Sequence, residues 1–160
     1  MQAKDIHITY TQYDSAGELP RPDAVLLDAA RKATAKAYAP YSRFRVGAAA
    51  LLKGGEVVTG SNQENASFPA GICAERVLLS AVASLHPGHP ILSMAISYLN
   101  EHGASHVPIT PCGICRQSLA EYQSRTGQPI RLILGGQEGA VWVIEEAGML
   151  LPMAFSSADM

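Results

Sequence analysis

The sequence predicts an α/β fold of three layers, α/β/α, around a five-stranded mixed sheet. Helical and extended hydrophobic patterns alternate along the chain in the order helix, two strands, helix, strand, helix, two strands. Strands separated by helices imply a sheet covered on both faces, and the strand segments are mostly apolar, as doubly covered strands are. A length of 160 residues with 48% hydrophobic content is enough for one domain with a real core and excludes disorder.

Residues 1–21 read as a lead-in, in which Ile6, Ile8 and Tyr10 alternate with polar neighbours as in a short edge strand; residues 22–160 read as the core of the same single domain. Asp23 to Ala39 places Leu26, Ala30, Ala33 and Ala37 on one helical face, and Pro40 stops it. Phe44 to Leu52 and Glu56 to Gly60 are two strands joined at Gly54-Gly55, a hairpin. After a polar loop over Ser61 to Ile72, a second helix runs from Cys73 to Leu85, with Val77, Leu78, Ala81, Val82 and Leu85 inward. Ile91 to Leu99 is the third strand. Thr110 as N-cap and Pro111 at the first helical position open a third helix, with Cys115, Leu119 and Tyr122 on its inner face. Ile130 to Leu134 and Ala140 to Ile144 are the last strands. The apolar tail residues Leu150, Leu151, Pro152 and Phe155 predict that the tail docks on something.

Composition excludes several functions. No run of about 18 apolar residues could span a bilayer, and the first residues, MQAKDIHITYTQY, hold no apolar leader, so a cytoplasmic protein is expected. The net charge is −2, without a basic run, which argues against a polynucleotide partner. Charged residues are 16%, against about 25% in typical domains. So few charges point to surface hidden in a homo-oligomer.

The chemistry lies in three cysteines. Cys73 opens the second helix; Cys112 and Cys115, three apart, sit at the start of the third. Helix N-termini favour thiolates. If the two helix starts meet, three sulfurs reach one point, and a Cys₃ zinc site with an open position suits catalysis. Glu75, two residues after Cys73, is placed for general acid–base work. Arg76 and Arg116 are positive charges that can offset three thiolates. Three alternatives remain open: three buried free thiols, a redox pair at Cys112 and Cys115, and a closed structural zinc site completed by His102 or His106. Glu75 could also serve only to complement its helix dipole, and Asn62 and Glu64 only to form turns.

The segments CAER at 73–76 and PCGICRQ at 111–117 resemble the signature of the small zinc-dependent cytidine deaminases, whose chemistry includes a Cys₃ zinc and a non-ligand Glu. APYSRFRVGAA at 39–49, NQENAS at 62–67 and LLPMAF at 150–155 are similar to segments of the same family, so the resemblance covers nearly all of the chain after about residue 22. The NQENAS loop is similar to that of nucleoside rather than polynucleotide deaminases. The resemblance implies that Cys73, Cys112 and Cys115 bind Zn²⁺ and that Glu75 shuttles the proton. It implies that Phe44 lines the pyrimidine pocket, Asn62 and Glu64 bind the ribose hydroxyls, backbone groups of Ala74 read the base and Arg76 moderates thiolate charge. It further implies a homotetramer in which Phe155 reaches a neighbouring subunit's site, and deamination of cytidine and 2'-deoxycytidine to uridine, 2'-deoxyuridine and ammonia in pyrimidine salvage. A deaminase for a nucleoside antibiotic of the blasticidin S type is the enzymatic alternative; a non-catalytic zinc-stabilised module is the other. Ser61 departs from the Cys that many relatives carry, and neither the first 20 residues nor the GQEG turn at 136–139 matches the family pattern.

Overall fold

A computed structural model describes residues 1–160. Its centre is a six-stranded mixed sheet in the order β1-β6-β5-β4-β2-β3. The strands are β1 (Thr11–Tyr13), β2 (Phe44–Leu52), β3 (Val57–Ser61), β4 (Ile91–Asn100), β5 (Arg131–Gly135) and β6 (Val141–Ile144). The β4–β5 pair is parallel and every other pair is antiparallel. Helix α1 (Arg21–Ala33) covers one face; α2 (Ala74–Leu85) and α3 (Gly113–Thr126) cover the other.

The alternation of β2 explains the three layers. Successive side chains point to opposite faces. Ala48, Ala50 and Leu52 join a core with Leu78 and Val82 of α2 and Leu119 of α3. Ala49, between them, joins a second core with Leu26, Leu27 and Ala30 of α1. Two glycines let the helices settle close to the sheet. A Cβ on Gly47 would lie 2.2 Å from the Ala30 carbonyl oxygen, and one on Gly60 would lie 2.5 Å from that of Ala74. Gly60 thus fixes where α2 begins, immediately after Cys73.

Four expectations need correction. The sheet has six strands rather than five, because Thr11–Tyr13 pairs with β6 through Thr11↔Val143 and Tyr13↔Val141. The alternating residues just before it, Ile6 and Ile8, stay exposed. The first helix gives way at Thr34–Lys36 to a 3₁₀ turn, in which the Ala37 N–H returns to the Thr34 carbonyl. On α2, Leu85 is 71% exposed and Leu79 is buried instead. Finally, α3 begins at Gly113 with Cys112 as N-cap, not at Pro111 with Thr110 as cap. The physical reason is a side chain from further along the chain: Arg116 donates to Thr110 Oγ1 at 3.1 Å and to the Pro111 carbonyl at 2.8 Å, which holds both residues outside the helix.

Candidate active site

The two helix starts do meet. Cys73 is the N-cap of α2 and Cys112 the N-cap of α3; each lends its carbonyl to the first helical turn, from Val77 N at 3.0 Å and Arg116 N at 2.9 Å. Cys115 lies one turn into α3 and is buried. The Cys73 and Cys112 sulfurs are 3.8 Å apart, Cys112 and Cys115 3.5 Å, and all three lie within 4.8 Å of one another. Thiolates about 2.3 Å from a tetrahedral zinc lie roughly 3.8 Å from each other, so the donor set and its spacing fit that ion. Among the described residues no fourth Cys, His, Asp or Glu joins the cluster. His102, one of the candidates to close it, turns its backbone N–H to Asn100 Oδ1 and is exposed. The cluster therefore offers three sulfur donors and no fourth protein donor.

The electrostatics of the sulfurs follow from their contacts. With no metal, the Cys73 thiol is drawn down to about 6, chiefly by the hydrogen bond from Cys115 and less by Cys112 and the Arg76 charge, against burial and Glu75. The Cys115 thiol is pushed far above its ordinary value, first by that same bond and then by burial. The cluster thus favours thiolate on Cys73 even before metal arrives. Arg76 acts at a distance: its side chain lines a groove between α2 and α3 together with Leu79, Tyr122 and Arg125, rather than the cleft at the sulfurs.

The cleft beside the cysteines has a volume of about 640 Å³ and is lined by Cys73 and Cys112. Ala74, Glu75 and Thr110 also line it, together with Asn62, Glu64, Phe68 and Tyr41. Glu75 is buried at 5% exposure, and burial lifts its carboxyl above the ordinary carboxylate range, partly offset by its own backbone N–H and the Cys115 thiol. Ala74 is fully buried, and as the first helical residue its N–H has no intrahelical partner.

Asn62 and Glu64 are held by β2 and the segment before it. Asn62 accepts from Val46 N at 2.7 Å and donates to the Phe44 carbonyl at 3.0 Å. Half of its hydrogen-bonding capacity is left for a ligand. Glu64 Oε2 accepts from Tyr41 N at 2.9 Å and Ser42 N at 3.3 Å, and hydrogen bonding led by the Ser42 hydroxyl keeps the carboxyl below its usual range. Phe44 shares the site-side face of β2 with Val46, yet it is Val46 that lines the cleft. The Phe44 ring stacks on Tyr98, centroids 4.9 Å apart and 15° between planes. Phe155 is 63% exposed; its carbonyl accepts from Gln117 Nε2 at 2.9 Å. Sequence reasoning missed Val46, Tyr41 and Phe68 as cleft residues. For two of them a signal was available, since Tyr41 and Val46 lie inside the APYSRFRVGAA segment; Phe68 falls just beyond NQENAS.

A three-layer α/β/α fold that brings three cysteines, one open coordination position and a buried carboxyl to a cleft defines a zinc hydrolase of the deaminase class. The family model "Cytidine and deoxycytidylate deaminase zinc-binding region" matches residues 20–127, and the chain belongs to this family. It is 38% identical over 136 residues to a cytidine deaminase of Halalkalibacterium halodurans, covering 85% of this chain and 96% of that one. Among solved structures, a cytidine deaminase from Burkholderia pseudomallei superposes with a TM-score of 0.71 at 40% identity, covering 82% of this chain and 97% of that one. One from Mycobacterium tuberculosis gives 0.63 at 36% identity, covering 82% and 94%.

Proposed function

We propose that the protein hydrolyses cytidine and 2'-deoxycytidine to uridine and 2'-deoxyuridine with release of ammonia. The observation that carries this is the open side of the three-cysteine cluster, facing the same cleft as the buried Glu75. Cys73, Cys112 and Cys115 would hold Zn²⁺. When bound, the ion supplies Lewis acidity that lowers the pKa of water toward neutrality. In the overall reaction, oxygen from water joins C4 of the base, the C4–N bond breaks, and the amine leaves as ammonia. Glu75 takes one proton from the attacking water and places it on N3, then takes the second from the resulting C4 hydroxyl and passes it to the departing amine as the C4–N bond breaks. A carboxyl whose proton is favoured by burial suits that relay.

The remaining capacity of Asn62 and the second oxygen of Glu64, which line the same cleft as the sulfurs, would bind the ribose hydroxyls. The Ala74 N–H would read the base. Phe44 would support the base site from its rim, stacked on Tyr98. Arg76 would moderate thiolate charge at Cys73. We further infer a homotetramer in which Phe155 covers a neighbour's site. Exposed large apolar side chains at Phe68, Ile114, Met153 and Phe155, with a low charge content, support this reading. Three unpaired thiols suit a reducing compartment such as the cytoplasm.

The test is loss of ultraviolet absorbance when zinc-loaded protein meets cytidine. Turnover of cytidine and 2'-deoxycytidine supports the reading. Turnover of a blasticidin S-type nucleoside alone would move the substrate class, and no turnover of either at full zinc content would overturn it.

A further inference from the structure

Two consecutive side chains on α3, Arg116 and Gln117, leave the helix immediately after Cys115 and grip two other parts of the chain. The Arg116 guanidinium makes three hydrogen bonds: to the Pro111 carbonyl at 2.8 Å, to Thr110 Oγ1 at 3.1 Å and to the Leu150 carbonyl at 3.2 Å. All three acceptors are neutral, and no ion pair involves this arginine among the described residues. Its geometry, a rigid fork with several donors, is what a lysine could not reproduce. Gln117 Nε2 donates to the Phe155 carbonyl at 2.9 Å. The tail between these two anchors holds little else to fix it: Pro152, Met153 and Phe155 are exposed, and Met153 sits at φ 58.

We propose that Arg116 and Gln117 are positioning residues that latch the C-terminal tail to the cysteine-bearing turn, so that the seat of Phe155 depends on that turn being formed. Arg116 spans the joint. On one side it holds Thr110 and Pro111, which set the approach of Cys112 to the helix; on the other it holds Leu150. Gln117 then fixes the tail's far end. Because Cys112 and Cys115 lie on the same turn as the latch residues, an ion that orders the cysteines also orders the platform under the tail. The latch itself rests on hydrogen bonds alone; the consequence for turnover rests on the deaminase reading, in which Phe155 contacts substrate.

The experiment is amide hydrogen exchange across residues 149–156 in the zinc-loaded protein, its chelator-treated form, and the variants Gln117→Ala, Gln117→Glu and Arg116→Lys. Zinc content and kcat and KM for cytidine are measured in parallel. Gln117→Ala and Gln117→Glu should retain one zinc and exchange about three- to tenfold faster around Phe155, the scale of one hydrogen bond. Gln117→Glu keeps the size but loses the donor, so it should match the alanine variant. Arg116→Lys should loosen the amides on both sides of Leu150 as well. Removing zinc from the wild type should raise tail exchange, and should add little near Phe155 in Gln117→Ala. In turnover, the Gln117 variants should raise KM about threefold or more with kcat held. Unchanged tail exchange in the Gln117 variants, or tail exchange that ignores zinc, would overturn the latch. Tail exchange that follows the pattern while the wild type turns over no cytidine would uphold the latch and reject the deaminase reading instead.

Discussion

At the corner where α2 and α3 begin, the chain buries and fixes its candidate groups; at the mouth of the same cleft it leaves large apolar side chains exposed. Cys115 and Glu75 at the corner are buried, and Cys73 and Cys112 are fixed as helix N-caps. At the mouth, Tyr41 and Phe68 meet edge to face at 5.8 Å, but Phe68 remains 74% exposed; on the tail, outside the lining of this cleft, Phe155 is 63% exposed. Burial by the sheet and helices makes the corner precise. The mouth carries apolar surface that water does not favour, and a neighbouring subunit would cover it. Losses at the corner should therefore fall on catalysis and metal content. Losses at the mouth should fall on substrate affinity and be repairable by another chain.

The largest effect should come from the metal ligands. Cys112→Ala leaves two sulfurs and should purify with less than half an equivalent of zinc by metal analysis, with activity lost altogether. A variant that keeps full zinc would show that the corner does not need three thiolates. Glu75→Gln should come next. The amide fits the same space and leaves the ligands alone, so zinc stays at one per chain, but Gln cannot accept and return a proton. The loss in kcat should reach the upper end of the usual general acid–base range of about 10²–10⁴-fold, or beyond. A loss within tenfold would remove Glu75 from the relay.

The contrast between corner and mouth also marks what the sequence revealed. Cys73, Glu75, Cys112 and Cys115 were legible because local rules place them: two short spacings, each at a helix start, where partial positive charge favours thiolates. The inner faces of α1 and α3 followed from periodicity, and β2 was legible residue for residue. What escaped depends on long-range geometry. The sixth strand carries no strong pattern of its own; β6 and the Tyr10–Trp142 contact, at 4.9 Å, stabilise the lead-in there. Thr110-Pro111 has the local form of a helix start, yet Arg116, a residue six positions on, takes the Thr110 hydroxyl and moves the start to Cys112. The position of Phe44 beside Tyr98 is a cross-strand packing choice invisible in one strand's pattern.

Between corner and mouth lie Asn62 and Glu64, and their variants sharpen the comparison. Glu64→Ala removes the carboxylate that accepts from Tyr41 and Ser42, so it would lose the proposed sugar contact and also free the loop. A lost or unpaired polar contact costs on the order of 1–3 kcal/mol, so kcat/KM for cytidine should fall by roughly ten- to 100-fold while zinc stays bound. Free cytosine should be a poor substrate for the wild type and should be little affected by the substitution. Equal turnover of cytosine and cytidine by the wild type would take the sugar role away from this loop.

The smallest effect, and the one that tests the mouth most directly, is expected of Phe155. An aromatic ring stacked over a planar base adds about 0.5–1.5 kcal/mol beyond its burial, so Phe155→Ala should raise KM for cytidine by up to about tenfold with kcat nearly unchanged. A KM effect alone does not tell whether the ring serves its own chain's site or another's. Mixing does. Glu75→Gln chains have an intact Phe155 but no relay; Phe155→Ala chains have the relay but no ring. If the sites are shared, subunit exchange creates sites that take Glu75 from one chain and Phe155 from the other, and a component with the wild-type KM appears that neither parent shows. If each chain completes its own site, exchange leaves the KM of Phe155→Ala unaltered, whatever the assembly. Exchange is verified independently by native mass measurement of the mixed species, so a mixture that has exchanged and still shows only the raised KM would place Phe155 outside any neighbour's site.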